Sequence, residues 1–108
     1  MKIYTEDVVF DLATFIAHKV KQQKGNTLCI RPADVADWAV YSGIIEPKLR
    51  QRYVTKAAYL MKLLAVLCRD CRVYALSDLI LCIPKGSWVW TEDPKVIENA
   101  LMQLVEKR

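Results

Sequence analysis

The chain has 108 residues, of which 54% are hydrophobic, and a formal charge of +4. That length supports a single domain over residues 1–108, burying roughly 65% of its unfolded surface and closing a core without metal or disulfide. No apolar run nears the ~18–20 residues of a membrane span. The acidic start MKIYTEDVVFDLATF lacks the basic-then-apolar order of a signal peptide, so the expectation is a cytoplasmic protein without membrane association.

The positive charge is concentrated. Across residues 46–72, Lys48, Arg50, Arg52, Lys56, Lys62, Arg69 and Arg72 stand against only Glu46 and Asp70. That is a local balance of +5, leaving −1 for the remainder. A positive segment on a near-neutral body is the footprint of a polyanion-binding face, and a solvated helix face gives the same pattern.

The first helix is expected over residues 5–23, with Thr5 as N-cap and Glu6 and Asp7 in its first turn. Val8, Val9, Leu12, Ala13, Phe15, Ile16 and Val20 form its apolar stripe. Lys19, Lys21 and Lys24 gather at its end, and Gly25-Asn26 stops it. A short strand follows at 27–30, then a short helix from Pro32 to about Tyr41, carrying Asp34 and Asp37 in its first turns. Trp38 is expected to pack under the helix-turn-helix, and Ser42-Gly43 breaks the short helix.

The stretch 46–67 opens with Pro47 in a first-turn position and holds no other Pro or Gly. At about 100° per residue, Leu49, Tyr53, Ala57, Leu60, Leu64 and Leu67 share one side. Lys48, Arg52, Thr55, Tyr59 and Lys62 share the other, with Lys56 at its edge. Arg50 falls in the apolar sector, which places it at the helix mouth or along the surface.

Two strands around Ser77-Asp78 are expected at 73–76 and 79–83. In a competing arrangement Pro84–Ser87 is the hairpin turn and Trp88-Val89-Trp90 a further strand. A last helix is expected over about 94–107, opened by Asp93-Pro94, with Val96, Ile97, Ala100, Leu101, Leu104 and Val105 as its buried stripe.

The four cysteines leave free buried thiols, zinc ligands and intracellular disulfides open, the last being a trait of hyperthermophile proteins. A redox-active thiolate prefers a helix N-terminus, whereas Cys68 and Cys71 stand at a C-terminus. Zinc would need partners beyond Cys29, Cys82 and the single histidine, His18, so no metal site is expected. His18 has no Ser, Cys or carboxylate placed to work with it, and the acids Glu6, Asp7, Asp11, Asp34 and Asp37 read as helix-dipole partners. The three glycines are isolated, so there is no phosphate-binding loop. Neither an enzyme nor a cofactor is expected. Trp88 and Trp90, with only Lys85 near, read as core residues and not as a stacking platform.

The order α-β-α-α-β-β-α, mainly α with a small β-sheet, resembles the winged helix-turn-helix superfamily over residues 5 to about 83. The end of the hairpin, where a strand runs into Pro84-Lys85-Gly86-Ser87 and Trp88, is similar to small archaeal winged-helix proteins. The resemblance implies that helix 46–67 lies in the major groove of double-stranded DNA, as in a sequence-dependent transcription regulator. Gln51 and Arg52 would then read base edges, while Lys48, Lys56, Lys62, Thr55 and Tyr59 would hold phosphates. The tip Leu76-Ser77-Asp78-Leu79 departs from the family in carrying no Lys or Arg, leaving Lys85 to replace it. The same departure favours a second implication, a protein-interaction module acting as accessory subunit of a replication or transcription assembly. In winged helices the first strand lies beside the last, which implies a Cys29–Cys82 disulfide. Cys68 and Cys71, one helical turn apart, form a second candidate pair. Palindromic sites are read by dimers, and the first and last helices offer the surface for a homodimer.

Overall fold

The computed structural model describes residues 2–75 and 78–106. Its elements run α1 (Thr5–Gln22), β1 (Thr27–Ile30), α2 (Pro32–Tyr41), α3 (Arg50–Leu67), β2 (Arg72–Ala75), β3 (Leu79–Pro84) and α4 (Pro94–Glu106), with a 3-10 turn at Pro47–Leu49 leading into α3. The expected order is met, and the fold is mainly helical with one small antiparallel sheet. Leu76 and Ser77 of the expected hairpin turn, and residue 107 of the expected last helix, lie outside the described residues.

All seven residues of the expected α1 stripe are buried, and Ala17 and Asp11 are buried with them. Tyr4, not Thr5, is the N-cap. The Tyr4 carbonyl accepts from the Asp7 and Val8 amides, and Thr5 enters the first turn. At α2 the Asp34 carboxylate accepts from the Arg31 amide at 2.9 Å, satisfying a donor at the helix mouth.

The end of α2 shows why the chain turns there. Gly43 takes φ +76°, which an L side chain would resist. This lets the Ile44 amide donate to the Ala39 carbonyl at 2.8 Å and the Gly43 amide to the Val40 carbonyl at 3.1 Å. The result is a Schellman stop that reverses the backbone into α3.

The sheet order is β1-β3-β2. Leu28, Ile30, Leu81 and Ile83 are buried on its inner face, as the period-2 pleat requires. Cys29 sits opposite Cys82 on the outer face, and the two form a disulfide. Trp88–Trp90 do not extend the sheet, and β2 pairs antiparallel with β3, as the first of the two arrangements expects. Val89 is fully buried, Trp90 half-buried against the core and Trp88 41% exposed, so the core expectation fails for Trp88.

The core lies between α1, the inner face of α3 (Tyr53, Ala57, Leu60, Met61, Leu64) and the sheet, closed by α4. Phe15 of α1 meets Trp38 of α2 with ring centroids 5.5 Å apart. From the expected α4 stripe, Ile97 and Leu101 are fully buried, while Val96 remains 40% exposed. The α1 and α4 stripes are spent largely on each other within the chain.

Candidate nucleic-acid interface

The outer side of α3 is positioned from three directions. Its inner face is held by the core, its N-terminus by α2 and its C-terminus by a disulfide. At the N-terminus Arg50 Nε donates to Asp37 Oδ1 at 2.6 Å, so the apparent misfit in the apolar sector is the link between the two helices. The hydrogen bond from Arg50, with its charge, holds the Asp37 carboxyl below the usual carboxylate range. At the C-terminus Cys68 is bonded to Cys71. Bonded sulfur carries no proton, so the buried Ser87 hydroxyl donates to Cys68 Sγ at 3.1 Å while accepting from the Val89 amide at 3.2 Å.

The expected contact residues divide into three groups. Gln51, Arg52 and Lys62 are exposed, and neither cation has a carboxylate within ion-pair distance among the described residues. Lys48 and Thr55 are exposed but engaged: Lys48 Nζ lies 3.2 Å from Glu46 Oε2, and the Thr55 hydroxyl donates to the Gln51 carbonyl at 3.2 Å. Lys56 sits half-in at the edge of the outer side, as the wheel puts it, and Tyr59 departs from the wheel. Lys56 is half-buried, its Nζ donating to Thr5 Oγ1 at 3.4 Å across to α1. Tyr59 packs half-buried against the core, with its hydroxyl oxygen closed off from solvent. Lys56 stands at the edge of the exposed side, where α1 reaches it, whereas Tyr59 lies within that side and is covered all the same. Val66, on the same exposed side, is 78% exposed.

Lys85 is exposed, and its amide donates to the Asn26 carbonyl at 2.8 Å. That places it at the far end of β3 from the hairpin turn, about 20 Å along the strand at ~3.3 Å per residue. The expected replacement of a basic hairpin tip by Lys85 would thus act from the opposite end of the strand. Just before β3, Asp78 Oδ2 lies 3.6 Å from Arg31 Nε, an ion pair that ties the start of β3 to the start of α2.

Sequence reasoning missed one buried pair. Tyr53, 1% exposed on α3, donates its hydroxyl to Asp11 Oδ2 on α1 at 2.9 Å. Asp11 is 6% exposed. Burial raises its carboxyl above the usual range, the Tyr53 bond opposes that shift, and Asp7 adds to it. Burial and the neighbouring Asp11 carboxylate likewise raise the Tyr53 phenol. His18 is exposed. Among the described residues no three His, Cys, Asp or Glu side chains gather into a cation-holding group, and no helix is long and apolar enough to cross a membrane.

Comparison of the chain with protein-family models, curated proteins and solved structures gives no match.

Proposed function

We propose that this is a winged helix-turn-helix protein that binds double-stranded DNA through α3, acting as a transcription regulator. The observation that carries the reading is the mounting of α3. It follows a short helix through the Gly43 turn, is pinned by Arg50–Asp37, and leaves Gln51, Arg52 and Lys62 exposed. In this reading Arg52 and Gln51 face base edges, Lys62 neutralises a phosphate, and β2–β3 is the wing. DNA access implies an intracellular location, and two disulfides there are of the kind hyperthermophile proteins keep. A homodimer would present two α3 helices to a palindrome.

The test is titration of random-sequence duplex DNA at two salt concentrations. A DNA binder loses affinity steeply as salt rises. Absence of binding at low salt turns the assignment to the second reading, a winged-helix protein-interaction module. A specific feature favours that alternative: the wing carries an Arg31–Asp78 ion pair where a DNA-gripping wing offers cations.

A further inference from the structure

A cleft of about 280 Å³ lies between the N-terminal segment, α1, the turn after α2 and α3. Its apolar wall is built from side chains that a folded chain ordinarily covers. Tyr4 is 59% exposed, Phe10 54% and Ile44 39%, and all three line the same opening. Asp11 and Tyr53 line it as well.

The carboxylate gives the cleft its chemistry. Asp11 is more than nine-tenths buried, and only one of its oxygens has a protein partner among the described residues. Oδ2 accepts from Tyr53, and no donor among the described residues reaches Oδ1. Oδ1 is not sealed from solvent and Asp11 lines the cleft, so this oxygen is open to a ligand, and a donor bearing positive charge makes the strongest hydrogen bond to it. Lys2 and Asp7 also line the cleft, but Lys2 forms no ion pair with either acid among the described residues. The two aromatic rings add faces that attract a cation, and with Ile44 they accept a hydrocarbon stem. Volume sets the size: at ~30 Å³ for each water-sized group, the cleft admits roughly nine. A bare metal ion fits poorly, because Asp11 and Asp7 are the only carboxylates lining it and the remaining wall is largely apolar.

We propose that this cleft binds a small organic cation, a primary ammonium or guanidinium on an apolar stem, with its head on Asp11 Oδ1 and its stem between Tyr4, Phe10 and Ile44. The site stands independently of DNA binding. The head group can belong to a free amine or to a lysine side chain of another protein, and the same chemistry serves both.

Titration of the full chain with n-pentylammonium, N-acetyl-lysine methylamide and 1-pentanol, followed by amide NMR, tests this. Saturable shifts at Phe10, Asp11, Ile44 and Tyr53 are expected with the first two. Pentanol, with a matching stem and no charge, should bind about tenfold or more weakly. Tighter binding of the lysine derivative than of pentylammonium identifies a protein side chain as the source, and the reverse order identifies a free amine. Asp11→Asn keeps an acceptor for Tyr53 and should lose about tenfold or more in ammonium affinity while leaving pentanol unchanged. Phe10→Ala, at an exposed position, should weaken ammonium and alcohol alike, so the proposal stays testable if Asp11→Asn fails to fold. Equal affinity for amine and alcohol overturns the proposal. So does ammonium binding that survives both substitutions, or the absence of any saturable shift at millimolar ammonium.

Discussion

Arg50 Nε sits 2.6 Å from Asp37 Oδ1, and this contact sets how α3 leaves the turn after α2. Both side chains are substantially exposed, so the pair contributes little to stability and is weakened by salt. Asp37 has a folded value depressed below its unfolded one. Its contribution is therefore present above about pH 4 and is lost as pH falls through the folded value. In urea melts, Asp37→Asn should be slightly less stable than the parent at pH 7. The difference should vanish at strongly acidic pH and narrow in high salt.

The Asp11–Tyr53 pair behaves in the opposite sense. Asp11 has a folded value above its unfolded one, so the native state holds its proton more tightly. Stability from this group falls as pH rises from about 4 through the folded value. Asp11→Asn removes that fall, so its stability relative to the parent should be higher at pH 7 than at acidic pH. Tyr53→Phe strips the carboxylate of its donor and should cost about 1.5–3 kcal/mol by denaturant midpoint at pH 7. A smaller loss at pH 7 than at acidic pH would contradict the pairing.

The disulfides should differ in weight because they close loops of different length. Cys29 and Cys82 are separated by 53 residues, for which the chain-entropy model gives up to ~4 kcal/mol. Cys68 and Cys71 are three apart, and the same model gives ~1.5 kcal/mol. Thermal melts of Cys29→Ser with Cys82→Ser should therefore fall well below those of Cys71→Ser. The latter keeps Cys68 beside Ser87. Four alkylated thiols without reductant would remove the basis of the comparison.

The order of elements was readable because each carries a local signal. Apolar periodicity marks α1, Pro32 starts α2, Gly43 ends it, and Asp93-Pro94 opens α4. Even the missed Asp11 left a trace, since it stands three residues from Val8 and four from Phe15, inside the apolar stripe. Its reading as a dipole partner overlooked that a buried tyrosine hydroxyl needs an acceptor. The burial of Tyr59, and the reach of Lys56 to α1, were hidden for a different reason. A helical wheel gives directions around α3 but not how far α1 and the core reach around it, and that reach is a tertiary property. Arg31–Asp78 joins positions far apart in sequence, and no periodicity links them.

The inward turn of Lys56 separates the cations of α3 into two kinds, and DNA binding should register the separation. Arg52 and Lys62 are exposed and lack carboxylate partners among the described residues, whereas Lys56 reaches Thr5 on α1. Each phosphate contact adds about 0.9 to the slope of log affinity against log salt. Arg52→Ala and Lys62→Ala should each lower that slope by about one if they touch phosphate. Should Arg52 read a guanine edge instead, its loss would cost about 1–3 kcal/mol on specific sites and little on random duplex. Lys56→Ala should leave the slope nearly unchanged and reduce stability slightly, through the lost contact with α1. If Lys56→Ala flattens the slope while Arg52→Ala does not, DNA approaches a face of the protein other than the exposed side of α3.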